Sequence, residues 1–345
     1  MNFHKLALIT TLIALMAIML GAYTRLSNAG LGCPDWPGCY GHLNVPDTAH
    51  EISKAQEAYP DKPIEAAKAW KEMTHRYIAG TLGLFILALC LLAWKNRKQA
   101  GQAIVLPTIL VGIVIFQALL GMWTVTLLLK PLVVVVHLIF GFTTLAILFW
   151  LTLSSSQFFT RNDMQKSIKA FNCKFRKPAL IAVVILFMQI ALGGWTSSNY
   201  AALVCSDLPT CQSSWWPEMN FKEAFTLWHE HDPKTGKELT SAINYEGGIL
   251  DFQARTAIHW MHRIGAVITF LYLFTLGLTL FRKAQGQAIP IAGLLIIGLV
   301  IAQFSLGLSN VFFNLPLLVA VAHNVTAALL LLSLILLNYL LFTKK

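Results

Sequence analysis

Residues 21–39 read GAYTRLSNAGLGCPDWPGC, and residues 193–211 read GGWTSSNYAALVCSDLPTC. Laid over one another without a gap, Gly21 meets Gly193, Thr24 meets Thr196, Asp35 meets Asp207, Pro37 meets Pro209, and both cysteines coincide. The match continues outward. EMTHR (72–76) falls on HWMHR (259–263), and FQALLG (116–121) on QFSLG (303–307), with Gln117 opposite Gln303. His137 in VVVVHLIFG falls on His323 in VAVAHNVTA. Internal similarity of this extent marks a duplicated unit.

Each unit is built from apolar runs. The chain is 56% hydrophobic and 12% charged with a mean hydropathy of +0.63, and that charge is about half the share found in a soluble domain. Runs of about 20 apolar residues match a bilayer core. Eight spans are predicted, at 6–23, 73–94, 103–126, 131–153, 178–198, 256–281, 288–311 and 316–341. The expected fold is an all-α integral membrane protein of two tandem four-helix bundles, related by a parallel pseudo-two-fold repeat. Residues 1–153 form the first half, 154–177 a linker and 178–345 the second half. The first run resembles a signal peptide, but its distal end and following loop have a counterpart near the fifth span, so it belongs to the folded unit.

Lysine and arginine set the orientation. With the N-terminus inside, the inner segments hold Lys5, KNRK (95–98), RNDMQKSIKAFNCKFRK (161–177), FRK (281–283) and the final KK, with Asp163 as their one acid. The formal charge of +10 is therefore a topology signal and not the footprint of a nucleic acid. Two longer outer loops, 24–71 and 199–255, each begin with the cysteine bracket. In the first, ISKAQEAYPDKPIEAAKAWKEM is expected to form a small amphipathic helix. The second carries the insertion HEHDPKTGKEL, with turn residues Pro233 and Gly236.

Four of the six cysteines lie in these outer brackets, where an oxidising compartment permits local bridges Cys33–Cys39 and Cys205–Cys211. Zinc is disfavoured by the C-x5-C spacing and by the lack of a repeated histidine beside it. A structural bridge and a redox-active pair are not separated by the sequence. Cys90 and Cys173 stand apart, in the second span and the linker.

Four of the ten histidines sit at repeated places near outer span ends: His75, His137, His262 and His323. An ionisable residue inside a span is a functional-site candidate. Two imidazoles on facing helices suit a haem iron, one to each face, with apolar walls around the macrocycle. Arg76 and Arg263, next to the repeated histidines, are placed to pair with propionates. The halves then differ. Three residues before His75 stands Glu72; three before His262 stands His259. Each pair lies on one helix face, about 4.5 Å apart along the axis. A carboxylate beside one haem only suits proton transfer or stabilisation of positive charge on an oxidised substrate. Gln117 and Gln303 read as helix bridges. Asn199, Asn310, Asn324, Trp123 and Trp195 read as interface residues, and His229 and His231 as solvated loop residues.

GAYTRLSNAGLGCPDWPGC, EMTHRYIAGTLG, IHWMHRIGA and the histidines of the fourth and eighth spans together resemble the haem A synthase family, nearly end to end. The resemblance implies oxidation of a methyl substituent of haem O to a formyl group, giving haem A for terminal oxidases. By position it implies His75 and His137 as ligands of haem O, His262 and His323 as ligands of haem b, and Glu72 as the catalytic carboxylate. It further implies a bacterial inner membrane, haem sites toward the periplasm, and haem O synthase as a partner. No motif identifies the final electron acceptor. The competing readings are a dihaem, quinone-linked electron carrier and a parallel-repeat transporter. Glu72 argues against the first, and four paired histidines argue against the second.

Overall fold

The computed structural model describes residues 2–99, 101–156, 173–229 and 243–342. Eight of its helices are long and apolar enough to cross a membrane. They are α1 (Phe3–Leu26), α3 (Ala66–Lys95), α4 (Val105–Thr126), α5 (Pro131–Ser155), α6 (Arg176–Ser198), α8 (Phe252–Lys283), α9 (Ala288–Phe312) and α10 (Leu317–Phe342). The short α2 (Ala49–Ala58) and α7 (Phe221–Ala224) lie in the two long loops. The expected spans agree to within a few residues, except that α3 starts at Ala66 and not at 73. The basic linker and His231 fall largely or wholly outside the described residues.

Local chemistry sets the helix ends. Asn2 caps α1 by accepting from Lys5 N (2.9 Å), Asp251 caps α8 by accepting from Ala254 N (2.6 Å), and Pro131 opens α5. At the other ends, α1 and α6 stop alike. Asn28 and Tyr200 turn left-handed, and the next N–H reaches back, Ala29 to Thr24 O and Ala201 to Thr196 O. The single amphipathic helix expected across 52–73 is instead broken into α2 and the start of α3. Pro60 and Pro63 lie between them, and proline cannot donate to a continuing helix. A capping box between Thr48 and Glu51 starts α2.

The spans pack as two closed rings. In one, α1 touches α3 and α5 while α4 touches both of those; in the other, α6 touches α8 and α10 while α9 touches both of those. The rings meet through α1, α5, α6 and α10. One apolar core draws on all eight spans, with Leu6, Ile86, Leu110, Leu148, Ala182, Leu280, Ile296 and Leu337 among its members. It fills the end of the bundle that carries the termini. The four histidines lie beyond it, at the end that carries the long loops. At the α8–α9 crossing, backbones touch: a Cβ on Gly293 would sit 2.7 Å from Gly277 O. Gly293→Leu is therefore expected to force α9 off α8 and cost about 1–3 kcal/mol, read as a lower thermal-unfolding midpoint in detergent.

Candidate functional site

The cystine loops roof the histidines. Disulfides join Cys33 to Cys39 and Cys205 to Cys211. Each bracket closes on a tight turn: Cys39 pairs with His42, and Cys211 with Ser214, through reciprocal backbone hydrogen bonds. The matched aspartates hold these turns. Asp35 accepts from Tyr40 N (2.6 Å) and Gly41 N (2.8 Å); Asp207 accepts from Gln212 N (2.7 Å), Ser213 N (2.9 Å) and the Thr210 hydroxyl. The Thr210 hydroxyl and the Ser213 N–H hold the Asp207 carboxyl at a pKa of about 2, so this cap stays ionised until the pH falls toward that value.

Arg76 and Arg263 tie each loop to its helix. Arg76 Nη1 donates to the carbonyls of Asp35 (3.0 Å) and Gly38, and Arg263 donates to those of Cys205 (2.6 Å), Asp207 (2.8 Å) and Thr210 (2.8 Å). These N–H groups close the loops, whose carbonyls have no secondary structure to satisfy them.

Glu72 and His259 complete the two roofs, and here the halves diverge. Glu72 is 5% exposed. Its Oε1 accepts from Arg76 Nη2 and its Oε2 from the N–H of Cys33 at 2.9 Å. The carboxylate is thus fixed from two sides, by the neighbouring guanidinium and by the cystine itself. His259 is 4% exposed and accepts at Nε2 from Arg263 Nε (3.1 Å), so it stands there as a neutral imidazole. One roof holds a compensated ion pair; the other holds a cation on a neutral ring.

Below the roofs lie the four histidines, half-buried. His75 and His137 are within electrostatic reach of one another, as are His262 and His323. Every ring backs on a glycine of the neighbouring helix. A Cβ on Gly21, Gly121, Gly193 or Gly307 would lie 3.0, 3.7, 3.3 or 3.2 Å from Cε1 of His75, His137, His262 or His323. Nδ1 of His75, His137 and His323 is buried, with the backbone of Ala17, Gln117 and Gln303 in reach of the three rings. Among the described residues no cluster of three or more His, Cys, Asp or Glu could hold a metal ion. Two imidazoles per site is the donor count for a metal that brings its own equatorial ligands, so the residues fit a porphyrin iron.

Gln117 and Gln303 bridge helices as expected. Gln117 Nε2 donates to His137 O (3.1 Å), and Gln303 Nε2 lies 3.1 Å from His323 Nε2. Trp195 and Asn199 are not interface residues. Both are buried, with Trp195 Nε1 donating to Ala224 O (2.9 Å) beneath the second loop. His229 lies 2.9 Å from Glu223.

Two residues were not singled out from the sequence. Gln189 places its amide nitrogen 3.0 Å from His262 Nδ1. Arg25 crosses between the rings, donating to Ser197 O (2.7 Å) and the Tyr200 hydroxyl (3.1 Å), with its guanidinium 4.4 Å from the Tyr200 ring centroid. No carboxylate pairs with it among the described residues. Both stand where the repeat breaks, Gln189 opposite Ala17 and Arg25 opposite Ser197. Polar mismatches in an otherwise matched stretch were the signal available.

The chain is similar to known proteins along its whole length. The "Heme A synthase" of Shewanella oneidensis is 46% identical over 340 residues, covering 98% of this chain and 96% of that protein. Those of Methylobacterium radiotolerans and Bacillus licheniformis are 27% and 24% identical, over 90% and 92% of this chain and 82% and 89% of theirs. Residues 4–335 match the family COX15-CtaA, described as cytochrome oxidase assembly protein. With that match running through both cystine loops and all four histidines, the chain belongs to the COX15-CtaA family of cytochrome oxidase assembly proteins.

Proposed function

We propose that this protein oxidises the ring methyl group of haem O to a formyl group, producing haem A for terminal oxidase assembly. Family membership and the heme A synthase of Shewanella oneidensis support the activity. The observation that carries the site assignment is the asymmetry of the two roofs, a fixed carboxylate above one histidine pair and an imidazole above the other.

In this reading the chain is two four-helix units, 1–153 and 178–345, in parallel repeat about the linker 154–177. Support comes from the two closed rings and from four histidines each backed by a glycine. His75 and His137 hold the substrate haem O, and His262 and His323 hold a haem b. When bound, haem b supplies a one-electron redox centre. Glu72 is the catalytic residue. Its carboxylate, held at both oxygens, keeps lone pairs free to take a proton or to face a cation developing at the methyl carbon. Arg76 and the Cys33 N–H keep it in place, and the disulfide keeps Cys33 in place. The apolar core under the histidines excludes water from the other side.

In this reading the termini lie in the cytoplasm and the haem sites toward the periplasmic side of a bacterial inner membrane, which the basic segments support. Haem O synthase is the partner that makes the substrate, and the electron acceptor is a separate component.

Purified protein from cells that make haem O is expected to release haem b together with haem O or haem A, identified by chromatography and mass. His137→Ala is expected to remove the O- or A-type haem and keep haem b; His323→Ala is expected to remove haem b. Two haem b per chain, despite available haem O, would instead make the protein a dihaem electron carrier.

A further inference from the structure

The histidine pairs differ in one more respect, which concerns what holds the rings themselves. In the second half both imidazoles meet a side-chain amide. Gln189 Nε2 lies 3.0 Å from His262 Nδ1, and Gln303 Nε2 lies 3.1 Å from His323 Nε2. In the first half neither ring does. Gln117, the counterpart of Gln303, gives its N–H to the backbone carbonyl of His137, and Ala17 stands where Gln189 would be.

Gln189 is also fitted to its place. Its Nε2 donates to His262 O at 3.1 Å while meeting the ring at Nδ1. One amide therefore grips both the backbone and the side chain of the same residue and fixes the ring against its own helix. The room for it comes from Gly265: a Cβ there would lie 2.3 Å from Gln189 Oε1. In the first half the position matching Gly265 is Ile78. The two positions have exchanged bulk, Ala17 with Ile78 in one half and Gln189 with Gly265 in the other. Side chains in the first half fill the space with hydrocarbon; those in the second fill it with an amide aimed at an imidazole.

We propose that Gln189, seated by Gly265, is a positioning residue for His262 that makes the second-half site the one that retains its haem. The inference rests on the reading that His262 is a haem ligand. The contact at Nδ1 leaves Nε2 to face the site. When one imidazole nitrogen binds a metal, the other carries the proton and needs an acceptor. With Nδ1 unprotonated the amide donates to the ring; when the ring binds a metal through Nε2 and Nδ1 carries the proton, a half-turn presents Oε1 to it instead and gives up the bond to His262 O. Gln189 Oε1 is buried and otherwise without a partner. The first-half rings have no side-chain amide on them, only the backbone of Ala17 beside His75 and of Gln117 beside His137, as suits a site that must admit haem O and release haem A on every turnover.

The test is haem retention and the spectrum of bound ferric haem b, neither of which depends on turnover. Gln189→Leu keeps the volume and removes the amide. It is expected to weaken haem b binding about 10–100-fold and to shift the low-spin electron paramagnetic resonance signals. Gly265→Ala, which crowds the amide out, is expected to do the same. Adding Gln189→Ala to Gly265→Ala is expected to restore thermal stability but not retention, which separates misfolding from lost positioning. Wild-type affinity and an unshifted spectrum in Gln189→Leu would overturn the proposal. A wild-type spectrum that survives His262→Ala would instead remove the ligand assignment beneath it.

Discussion

Glu72→Gln is expected to lower haem A formation by about 10²–10⁴-fold, the usual contribution of a positioned acid or base, while leaving haem b bound. The substitution keeps the shape and keeps an oxygen that can accept from the Cys33 N–H. It removes the charge that pairs with Arg76 and the capacity to take a proton. Because the second half has His259 on Arg263 in the place of Glu72, the haem b site proposed there is expected to be untouched by the change. The ratio of haem A to haem O extracted from the membranes is the measurement, with haem b as internal standard. A wild-type ratio in the glutamine variant would move the chemistry away from this carboxylate. Loss of haem b along with haem A would mean that Glu72 supports the fold and not the reaction.

Much of this architecture is legible in the sequence because it depends on local quantities. Apolar run length gives the eight spans, since the bilayer demands that length of any helix crossing it. The repeat gives the histidine pairs and the cysteine brackets. Asp35 and Asp207 appear as a matched pair from sequence, but their work, capping a turn five and six residues on, needs the folded loop. The arginines show the limit more clearly. A cation beside a candidate ligand histidine reads as a propionate partner; the fold adds another task, since the cystine loop returns over the helix and brings unpaired carbonyls to that guanidinium. Trp195 misreads for a related reason. A tryptophan near a span end looks interfacial by depth, and its burial depends on a loop segment, Ala224, that is 29 residues away. Gln189 and Arg25 lie where the repeat fails, so a reading that follows what the halves share passes over them.

Arg76→Ala and Arg263→Ala are expected to differ, although the two arginines occupy matching positions and hold matching loops. Both variants release loop carbonyls, losses of about 0.5–1.5 kcal/mol per hydrogen bond. Only Arg76→Ala also strands a buried anion, since Glu72 and Arg76 side chains are 6% and 12% exposed. Breaking a buried ion pair from one side costs about 3–5 kcal/mol; Arg263 leaves behind a neutral imidazole. Arg76→Ala is thus expected to unfold at the lower temperature and to yield less protein per cell. The cause can be isolated by a double variant. If the stranded charge carries the excess, Arg76→Ala with Glu72→Gln recovers most of the difference from Arg263→Ala, because the amide needs no counter-charge. If the double variant is no more stable than Arg76→Ala, the excess lies in the loop contacts. The ion pair would then serve only to hold Glu72 ready beneath the cystine.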